Sequence, residues 1–442
     1  MKYEPVIGLE VHVELNTVSK MFCRCSADYF GAEQNTHTCP VCLGLPGALP
    51  YINEEAVNKC IQIGLALNCT VTKKSLFERK NYFYPDLPKG YQISQYRWPL
   101  CIGGRLWVVG DNGEEKEIRI NRVHQEEDTA KLVHQFGIQY GTLIDFNRSG
   151  VPLVEIVTEP DFTQTSQIRD YAKKLQQIFR YLGVSEADME KGQMRLEANI
   201  SVKREGEREL PKYRVELKNI NSFRFMVAAV EYEIKRQIEV LEKGEKIAQE
   251  TRGWNEDKKC TYIQRSKEEA HDYRYFPEPD LPELILSKEK IQRIKDALPE
   301  LPQNKSKGFE KDFGLTKAQA AVLTDTKGIA EFFEEAVQDG KKHAVDAKQL
   351  ANFIINRKIN IEETLPAKII EEILGKHKGV IADEEKLGKL AKQVIKENPK
   401  AVEDYRKGKE TALQVLIGGV MRLSSGKADI SKLKPILEKL LS

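Results

Sequence analysis

The pattern of apolar and polar positions divides the chain into two parts of different character. Short stretches that alternate between apolar and polar residues, separated by a few helical stretches, fill about the first 300 residues, and the remainder has almost wholly helical periodicity. Three helices are predicted in the first part, beginning at Asn53, at Thr165 and near Phe225, each with apolar residues three or four positions apart. This arrangement predicts an α+β fold, with an antiparallel sheet first and all-α regions after it.

Proline density and composition mark two boundaries. Five prolines lie between residues 275 and 303, a density that interrupts regular structure and suits a boundary segment. A second, weaker boundary is predicted near Lys378. We therefore predict three domains: residues 1–296 with the sheet, the helical residues 297–379, and a small all-α tail of residues 380–442.

The opening strand places three polar side chains on one face. From Leu9 to Leu15 apolar and polar residues alternate strictly. Side chains along a strand alternate in direction, so Glu10, His12 and Glu14 share the face opposite to the apolar residues. Two carboxylates and an imidazole therefore lie on one surface, although an ordinary solvated face of an antiparallel strand would have the same pattern.

Three consecutive acids, Glu126, Glu127 and Asp128, follow a second strand-like stretch that begins at Ile118. Consecutive acids repel one another unless a cation or solvent screens them, so this strand end is a candidate site for a hard cation. Mg²⁺ is the expected ion, because it prefers carboxylate oxygens and commonly bridges to the phosphates of a nucleotide. Taken alone, such a triplet is also typical of a solvated turn.

Four of the eight cysteines form two close pairs, Cys23 with Cys25 and Cys39 with Cys42, in a loop of residues 23–42. Two pairs at this separation indicate a structural Cys₄ zinc site. All four positions around the metal would be filled by protein, so the ion would fix the loop and leave no place for water or substrate. The alternative, two disulfides, requires an oxidising compartment or a hyperthermophile cytosol.

Basic and aromatic residues are interleaved in two segments, residues 77–91 and residues 265–277. This composition suits stacking and backbone contact with a nucleic-acid end or a nucleotide, and it also suits a packed surface loop. The sequence lacks a P-loop, a G-x-G-x-x-G motif and the kinase catalytic-loop motif. If ATP binds, we expect it on a sheet surface that carries carboxylates and metal.

Composition narrows the class of protein further. The 442 residues carry 69 basic and 67 acidic side chains, so the net charge of +2 excludes a polybasic coat, and a nucleic acid would be met by a local patch. No apolar run approaches the roughly 18 residues that span a bilayer, and the first residues lack a signal-peptide pattern. We expect a cytoplasmic protein that does not enter a membrane.

Five long motifs carry a resemblance to a known family. They are residues 7–15 (IGLEVHVEL), 39–47 (CPVCLGLPG), 79–96 (RKNYFYPDLPKGYQISQY), 145–153 (DFNRSGVPL) and 272–282 (DYRYFPEPDLP). Together they resemble the B-subunit family of the aspartyl/glutamyl-tRNA amidotransferases. The resemblance covers essentially the whole chain, and residues 415–422 (VLIGGVMR) extend it into the tail.

The resemblance implies a catalytic cradle related to glutamine synthetase that holds Mg²⁺ and ATP. It further implies that ATP phosphorylates the side-chain carboxylate of Glu-tRNA(Gln) or Asp-tRNA(Asn), and that ammonia then displaces the phosphate. Ammonia would come from glutamine through an amidase-type A subunit, with a small C subunit joining the two. This chain has no amidase signature of its own, so the implied ligase needs that partner.

The resemblance also implies roles for individual residues. Glu10, His12 and one or both of Glu126 and Glu127 correspond to the catalytic magnesium ligands. The expected nucleotide-binding set contains these four together with Glu14, Glu197, Lys218, Arg265 and Lys267. Where the family usually has a Cys-Asp pair, this chain has Leu196-Glu197, so the acidic character of the second position is kept.

In the tail, eight cations are expected to contact tRNA phosphates, although a solvated helix face would look the same. They are Lys386, Lys389, Lys392, Lys396, Lys400, Arg406, Lys407 and Lys409. Two alternatives to the ligase stay open: a non-catalytic tRNA-binding scaffold of the same complex, and a zinc-stabilised RNA-binding module of unrelated role. The acidic face argues against the second, because paired carboxylates repel phosphate unless a cation intervenes.

Overall fold

The computed structural model describes residues 2–133, 141–266, 273–377, 383–406, 409, 411–424 and 428–441. Its backbone contacts divide into two compact units, Met1–Asn304 and Lys305–Ser442. The division into three domains stays a prediction, and its second boundary at Lys378 lies outside the described residues.

The strands of the described residues belong to one large and three small sheets. In chain order they are β1 (Tyr3–Glu14), β2 (Thr70–Val71), β3 (Lys74–Ser75), β4 (Glu78–Asn81), β5 (Tyr91–Ser94), β6 (Cys101–Val109), β7 (Glu115–Glu127), β8 (Lys131–Val133), β9 (Leu143–Asp145), β10 (Pro152–Thr158), β11 (Met194–Arg204), β12 (Val215–Ile220), β13 (Glu250–Asn255), β14 (Cys260–Ser266), β15 (Phe276–Pro277) and β16 (Leu284–Ile285).

The large sheet has the order β14-β13-β12-β11-β1-β10-β7-β6-β2, so β1 lies in its middle. Every neighbouring pair is antiparallel except β12 with β13. The small sheets are β15-β4-β5, β16-β3 and β8-β9.

Most of the described helices lie in the second half of the chain. In chain order the helices are α1 (Glu54–Ala66), α2 (Thr165–Leu182), α3 (Phe223–Glu242), α4 (Lys288–Asp296), α5 (Pro302–Phe313), α6 (Lys317–Leu323), α7 (Lys327–Lys342), α8 (Ala347–Arg357), α9 (Pro366–His377), α10 (Glu384–Glu397), α11 (Pro399–Arg406), α12 (Thr411–Leu423) and α13 (Ile430–Leu441). The predicted α+β class is confirmed. Among the described helices, none has the length and apolar character that crossing a membrane requires.

The three predicted helices of the first unit form the layer that covers one face of the large sheet. Helix α1 is capped as expected, because the Asn53 side chain accepts a hydrogen bond from the backbone N–H of Ala56 at 3.2 Å. The N-cap of α2 is Gln164, one position before the predicted cap Thr165, and the helix ends at Gly183 in the left-handed conformation (φ 65°). These helices contact β7, β6 and β11.

The alternation of side chains along β1 separates a buried apolar face of the sheet from a polar face. Leu9, Val11 and Val13 are at most 1% exposed and belong to the apolar core under the helices. The opposite face of β1 is polar and belongs to the candidate site. In the second unit, residues 309–373 and residues 387–441 form two further apolar clusters between helices.

Candidate functional site

On the polar face of the large sheet, charged residues of neighbouring strands lie directly opposite one another. On β1, His12 lies opposite Glu155 of β10 on one side and Arg195 of β11 on the other. Glu155 in turn lies opposite His124 of β7. Residues paired directly across neighbouring strands point to the same face, so the antiparallel register alone brings these side chains together.

The first group of possible metal ligands consists of His12, Glu126 and Glu155, whose ligand atoms lie within 4.8 Å of one another. His12 Nε2 is 3.7 Å from a Glu155 oxygen and 4.0 Å from a Glu126 oxygen. Burial opposes ionisation of Glu155, but the imidazoles of His124 and His12 outweigh it and hold its pKa well below the usual range. We refer to these three residues as the His12 group.

Strand β5 holds the Glu126 carboxylate of the His12 group in place. The Ser94 hydroxyl donates to one oxygen at 2.6 Å, and the Gln92 amide donates to the other at 3.2 Å. Glu126 is 1% exposed. Its carboxylate is therefore oriented by neutral donors and can still approach a cation.

The second group consists of Glu10, Glu197 and Glu216, also within 4.8 Å. Lys218 Nζ lies 2.8 Å from Glu197 and 3.1 Å from Glu216. Burial and the neighbouring carboxylates of Glu155 and Glu197 raise the pKa of Glu10. One lysine does not balance three carboxylates, and a divalent cation would relieve the repulsion that remains. We refer to these three acids as the Glu10 group.

Neutral donors also orient the Glu10 group. The Asn199 amide donates to Glu10 at 2.9 Å, and the Thr251 hydroxyl donates to Glu216 at 2.9 Å. Hydrogen bonds of this kind fix the orientation of carboxylate ligands in metal sites.

A cavity of about 430 Å³ adjoins the Glu10 group at the start of β1. Gly8, Glu10, Pro160, Asn199 and Tyr213 are among its lining residues. Its lining is partly apolar and partly polar, and its volume falls in the range of small-molecule pockets.

Glu127 and Glu14 lie outside both groups. Glu127 follows Glu126 directly and points to the other face, where it accepts from Lys89 Nζ at 2.6 Å and from the backbone N–H of Ile93 at 2.9 Å. Glu14 accepts the hydroxyl of Tyr29, and burial together with Asp128 raises its pKa to about 8. These two acids therefore form contacts that are separate from both ligand groups.

The expected phosphate-binding cations are only partly brought to the site. Lys218 lies beside the Glu10 group, 2.8 Å from Glu197. Arg265 is exposed on β14, two strands from Glu216, in register with Thr251. Lys267 lies outside the described residues, and so does Lys407 of the tail.

The four cysteines of the loop converge as predicted. The Sγ atoms of Cys23, Cys25, Cys39 and Cys42 all lie within 4.8 Å of one another. The Cys39 and Cys42 sulfurs are 3.8 Å apart, which is the edge of a tetrahedron with metal–sulfur bonds of about 2.3 Å. A hydrogen bond from the Cys23 thiol, together with the Lys20 ammonium, lowers the pKa of Cys42 to about 5, toward the thiolate that binds metal.

Two ligand candidates, Glu155 and Glu216, were missed by the sequence analysis. Each is a single acid inside a short apolar strand: Glu155 lies between Val154 and Ile156, and Glu216 lies between Val215 and Leu217. An isolated carboxylate in such a strand is the signal that could have found them, because burying one without a partner is costly.

The chain is similar to known proteins over nearly its whole length. A family model described as the GatB/GatE catalytic domain matches residues 5–292, and one described as the GatB domain matches residues 327–441. Curated relatives from Thermomicrobium roseum and Thermoanaerobacter pseudethanolicus are each 46% identical and are matched over at least 99% of both chains. A relative from Caldicellulosiruptor saccharolyticus is 44% identical over 99% of each chain. All three are named as the B subunit of aspartyl/glutamyl-tRNA(Asn/Gln) amidotransferase.

Proposed function

The chain belongs to the family of aspartyl/glutamyl-tRNA amidotransferase B subunits, and from this premise we propose the reaction that its site performs. ATP phosphorylates the side-chain carboxylate of Glu-tRNA(Gln) or Asp-tRNA(Asn), and ammonia then replaces the phosphate to leave the amide. The observation that carries the proposal is the pair of acidic groups at Glu10 and His12, two positions apart on one face of β1.

Both groups fit magnesium. The His12 group offers two carboxylates and an imidazole, and the Glu10 group offers three carboxylates. The carboxylate oxygens are the hard ligands that suit Mg²⁺. When bound there, Mg²⁺ would neutralise negative charge on the transferring phosphoryl group. In this proposal the expected ligands Glu10, His12 and Glu126 are kept. Glu155, Glu197 and Glu216 are added as ligands, and Glu127 is no longer one.

The reaction needs no nucleophilic side chain. An oxygen of the acceptor carboxylate forms a bond to the γ-phosphorus of ATP as the bond to ADP breaks, which gives an acyl phosphate. Ammonia then forms the C–N bond, and the departing phosphate takes the electron pair of the C–O bond and one proton. The chain's residues contribute by positioning the reactants and stabilising charge.

The cavity of about 430 Å³ beside Glu10 suits the nucleoside end of ATP. Gly8 presents no side chain there, and the closest atoms to a Cβ added at that position belong to Pro160 at 3.7 Å and beyond. With the nucleoside in this cavity, the phosphates extend toward Glu10 and His12. The acceptor carboxylate then approaches from the side of the His12 group.

Zinc in the loop is proposed as a structural ion. The four sulfurs would fill the tetrahedral positions around the ion, so no position would be left for substrate. Tyr29, within this loop, donates to Glu14 at the end of β1. The metal would therefore stabilise a segment that packs beside the site.

Partner subunits are part of the proposal because the sequence has no amidase signature that could supply ammonia. We propose an A subunit that releases ammonia from glutamine and a small C subunit, acting together in the cytoplasm. In the tail, Lys386, Lys389, Lys392 and Lys396 are all exposed on α10. Their spacing of three or four places them on one helix face, where they would contact tRNA phosphates.

The test uses the chain assembled with its A and C partners. Supplied with Mg-ATP, ammonium and Glu-tRNA(Gln) or Asp-tRNA(Asn), the complex should form the amide, and Glu10→Gln should abolish it while glutaminase activity persists. A Glu159→Gln complex is the matched control, since Glu159 accepts from Asn121 outside both groups. Undiminished amide formation by Glu10→Gln would favour the alternative, a non-catalytic tRNA-binding scaffold.

A further inference from the structure

Lys80 lies on β4 of the small sheet β15-β4-β5 and points toward the His12 group. On β4 it lies opposite Gln92 of β5, and Gln92 donates to Glu126. Residues paired directly across two strands share a face, so the Lys80 side chain is directed to the same side as that amide. The Glu126 carboxylate is close enough to act on the charge of Lys80.

Lys80 differs from the other cations nearby, which are bound to carboxylates. Arg79 donates to Glu278 at 2.6 and 2.8 Å, and Lys89 donates to Glu127. In the described part of the chain, the ammonium of Lys80 has aromatic contacts and no hydrogen-bonded oxygen: its Nζ is 5.3 Å from the centre of the Tyr273 ring and 5.9 Å from that of Tyr82.

The ammonium of Lys80 has N–H donors that are available to a substrate. Lys80 is half-buried, and its three N–H groups would each form a hydrogen bond in water. The neighbouring phenols of Tyr82 and Tyr275 are half-buried as well, and burial raises the pKa of both. An anionic oxygen delivered by a substrate would complete the site.

The position favours the acceptor carboxylate over the nucleotide. The cavity for the nucleoside adjoins Gly8 and Glu10, whereas Lys80 lies by Glu126 and Glu155 of the His12 group. The acceptor is itself an anion that must approach a face rich in carboxylates. A cation without a bonded oxygen at that end supplies the attraction that the acidic face lacks.

We propose that Lys80 is a catalytic residue that binds one oxygen of the acceptor's side-chain carboxylate and leaves the other oxygen to attack the γ-phosphorus, an inference that rests on the function proposed above. In the acyl phosphate the bound oxygen becomes the carbonyl oxygen. When ammonia adds, negative charge develops on that same oxygen, and the ammonium stabilises it until phosphate departs with its electron pair and a proton.

The test compares binding of two tRNAs that differ at the atoms in question. The assembled complex, without ATP, should bind Glu-tRNA(Gln) more tightly than Gln-tRNA(Gln), because the amide offers no negative charge to Lys80. In Lys80→Met this preference should fall by roughly ten- to a hundredfold, the range for a charge-assisted hydrogen bond. Lys74→Met is the matched control, since Lys74 lies on β3 of another small sheet and pairs with Glu283.

Activity provides the second measurement. With ammonium and Mg-ATP, Lys80→Met should lose amide formation, and Lys80→Arg, which keeps the charge, should recover part of both activity and tRNA preference. If Lys80→Met fails to fold, as judged by its melting temperature, the arginine variant with intact fold but no preference would overturn the proposal. Unchanged preference and rate in Lys80→Met would overturn it too, while an inactive wild-type complex would instead reject the proposed function.

Discussion

The cysteine cluster permits a prediction whose size follows from the chain's geometry. Replacing Cys42 with serine removes one ligand of the proposed zinc ion, and a chelator removes the ion itself. Residues 17–51 are all described, and they form no helix and no named strand. Their only β-bridge joins Ser19 and Ser26. The metal would therefore be the main tie between residues 23–25 and 39–42.

The expected effect can be estimated from loop closure. Thirteen residues separate Cys25 from Cys39, and a covalent link that closes a loop of about 15 residues stabilises a fold by about 3 kcal/mol in the chain-entropy model. At about 1.4 kcal/mol for each factor of ten, losing the link should raise the opening equilibrium of the loop by about a hundredfold. Hydrogen bonds from Asn147 to Glu33 and from Lys20 to His37 remain and confine the change to the loop.

Hydrogen exchange measured by mass spectrometry, alongside metal content, tests this estimate. Amides of residues 26–38 should exchange about a hundredfold faster in Cys42→Ser or after chelation, whereas those of β1 should not change, because local and global opening are separate. Cys260→Ser is the control, since Cys260 is half-buried outside the cluster. Purified protein without bound metal, whose loop exchanges at the same rate with and without chelator, would refute the reasoning.

Three further predictions concern the site, the core and the tail. Glu155→Gln should raise the Mg²⁺ concentration for half-maximal amide formation by at least about tenfold, measured by titration, with Glu159→Gln unchanged; an equal response would exclude Glu155 as a ligand. Leu175→Ala, at a fully buried position of α2, should lower the free energy of unfolding by about 2–5 kcal/mol in urea, and a loss below about 1 kcal/mol would contradict the packing. Asp383→Ala removes a side chain that accepts from two N–H groups at the start of α10 and should cost about 1 kcal/mol; an unchanged helical melting curve would argue against the cap.

Local rules were sufficient for the three helices of the first unit, for β1, and for the shared face of Glu10 and His12. The period of two in β1 separates Leu9 and Val11 from Glu10 and His12 without reference to any other strand. The same rule also divides the acidic triplet. Glu126 faces the polar side, whereas Glu127 faces Lys89, so one strand end carries two different contacts.

The remaining ligands depend on strand order, which the local sequence does not contain. Glu155 reaches His12 because β10 is inserted between β1 and β7, although β1 and β10 are far apart along the chain. Glu216 reaches Glu10 because β11 lies between β1 and β12. Lys80 arrives from a separate small sheet. Each of these neighbours is fixed by long-range pairing, which no periodicity reveals.

Strand geometry also fits the proposed chemistry. Glu10 and His12 are two residues apart, and a rise of about 3.4 Å per residue separates their backbones by about 7 Å. Two cations bridged by a single oxygen lie only about 3.5–4 Å apart. Groups anchored at the longer spacing on one face suit a chain of phosphates that passes from the cavity beside Gly8, over the Glu10 group, to the His12 group. The acceptor carboxylate would then meet the terminal phosphate where Lys80 enters, and the single central strand β1 would set the order of all three.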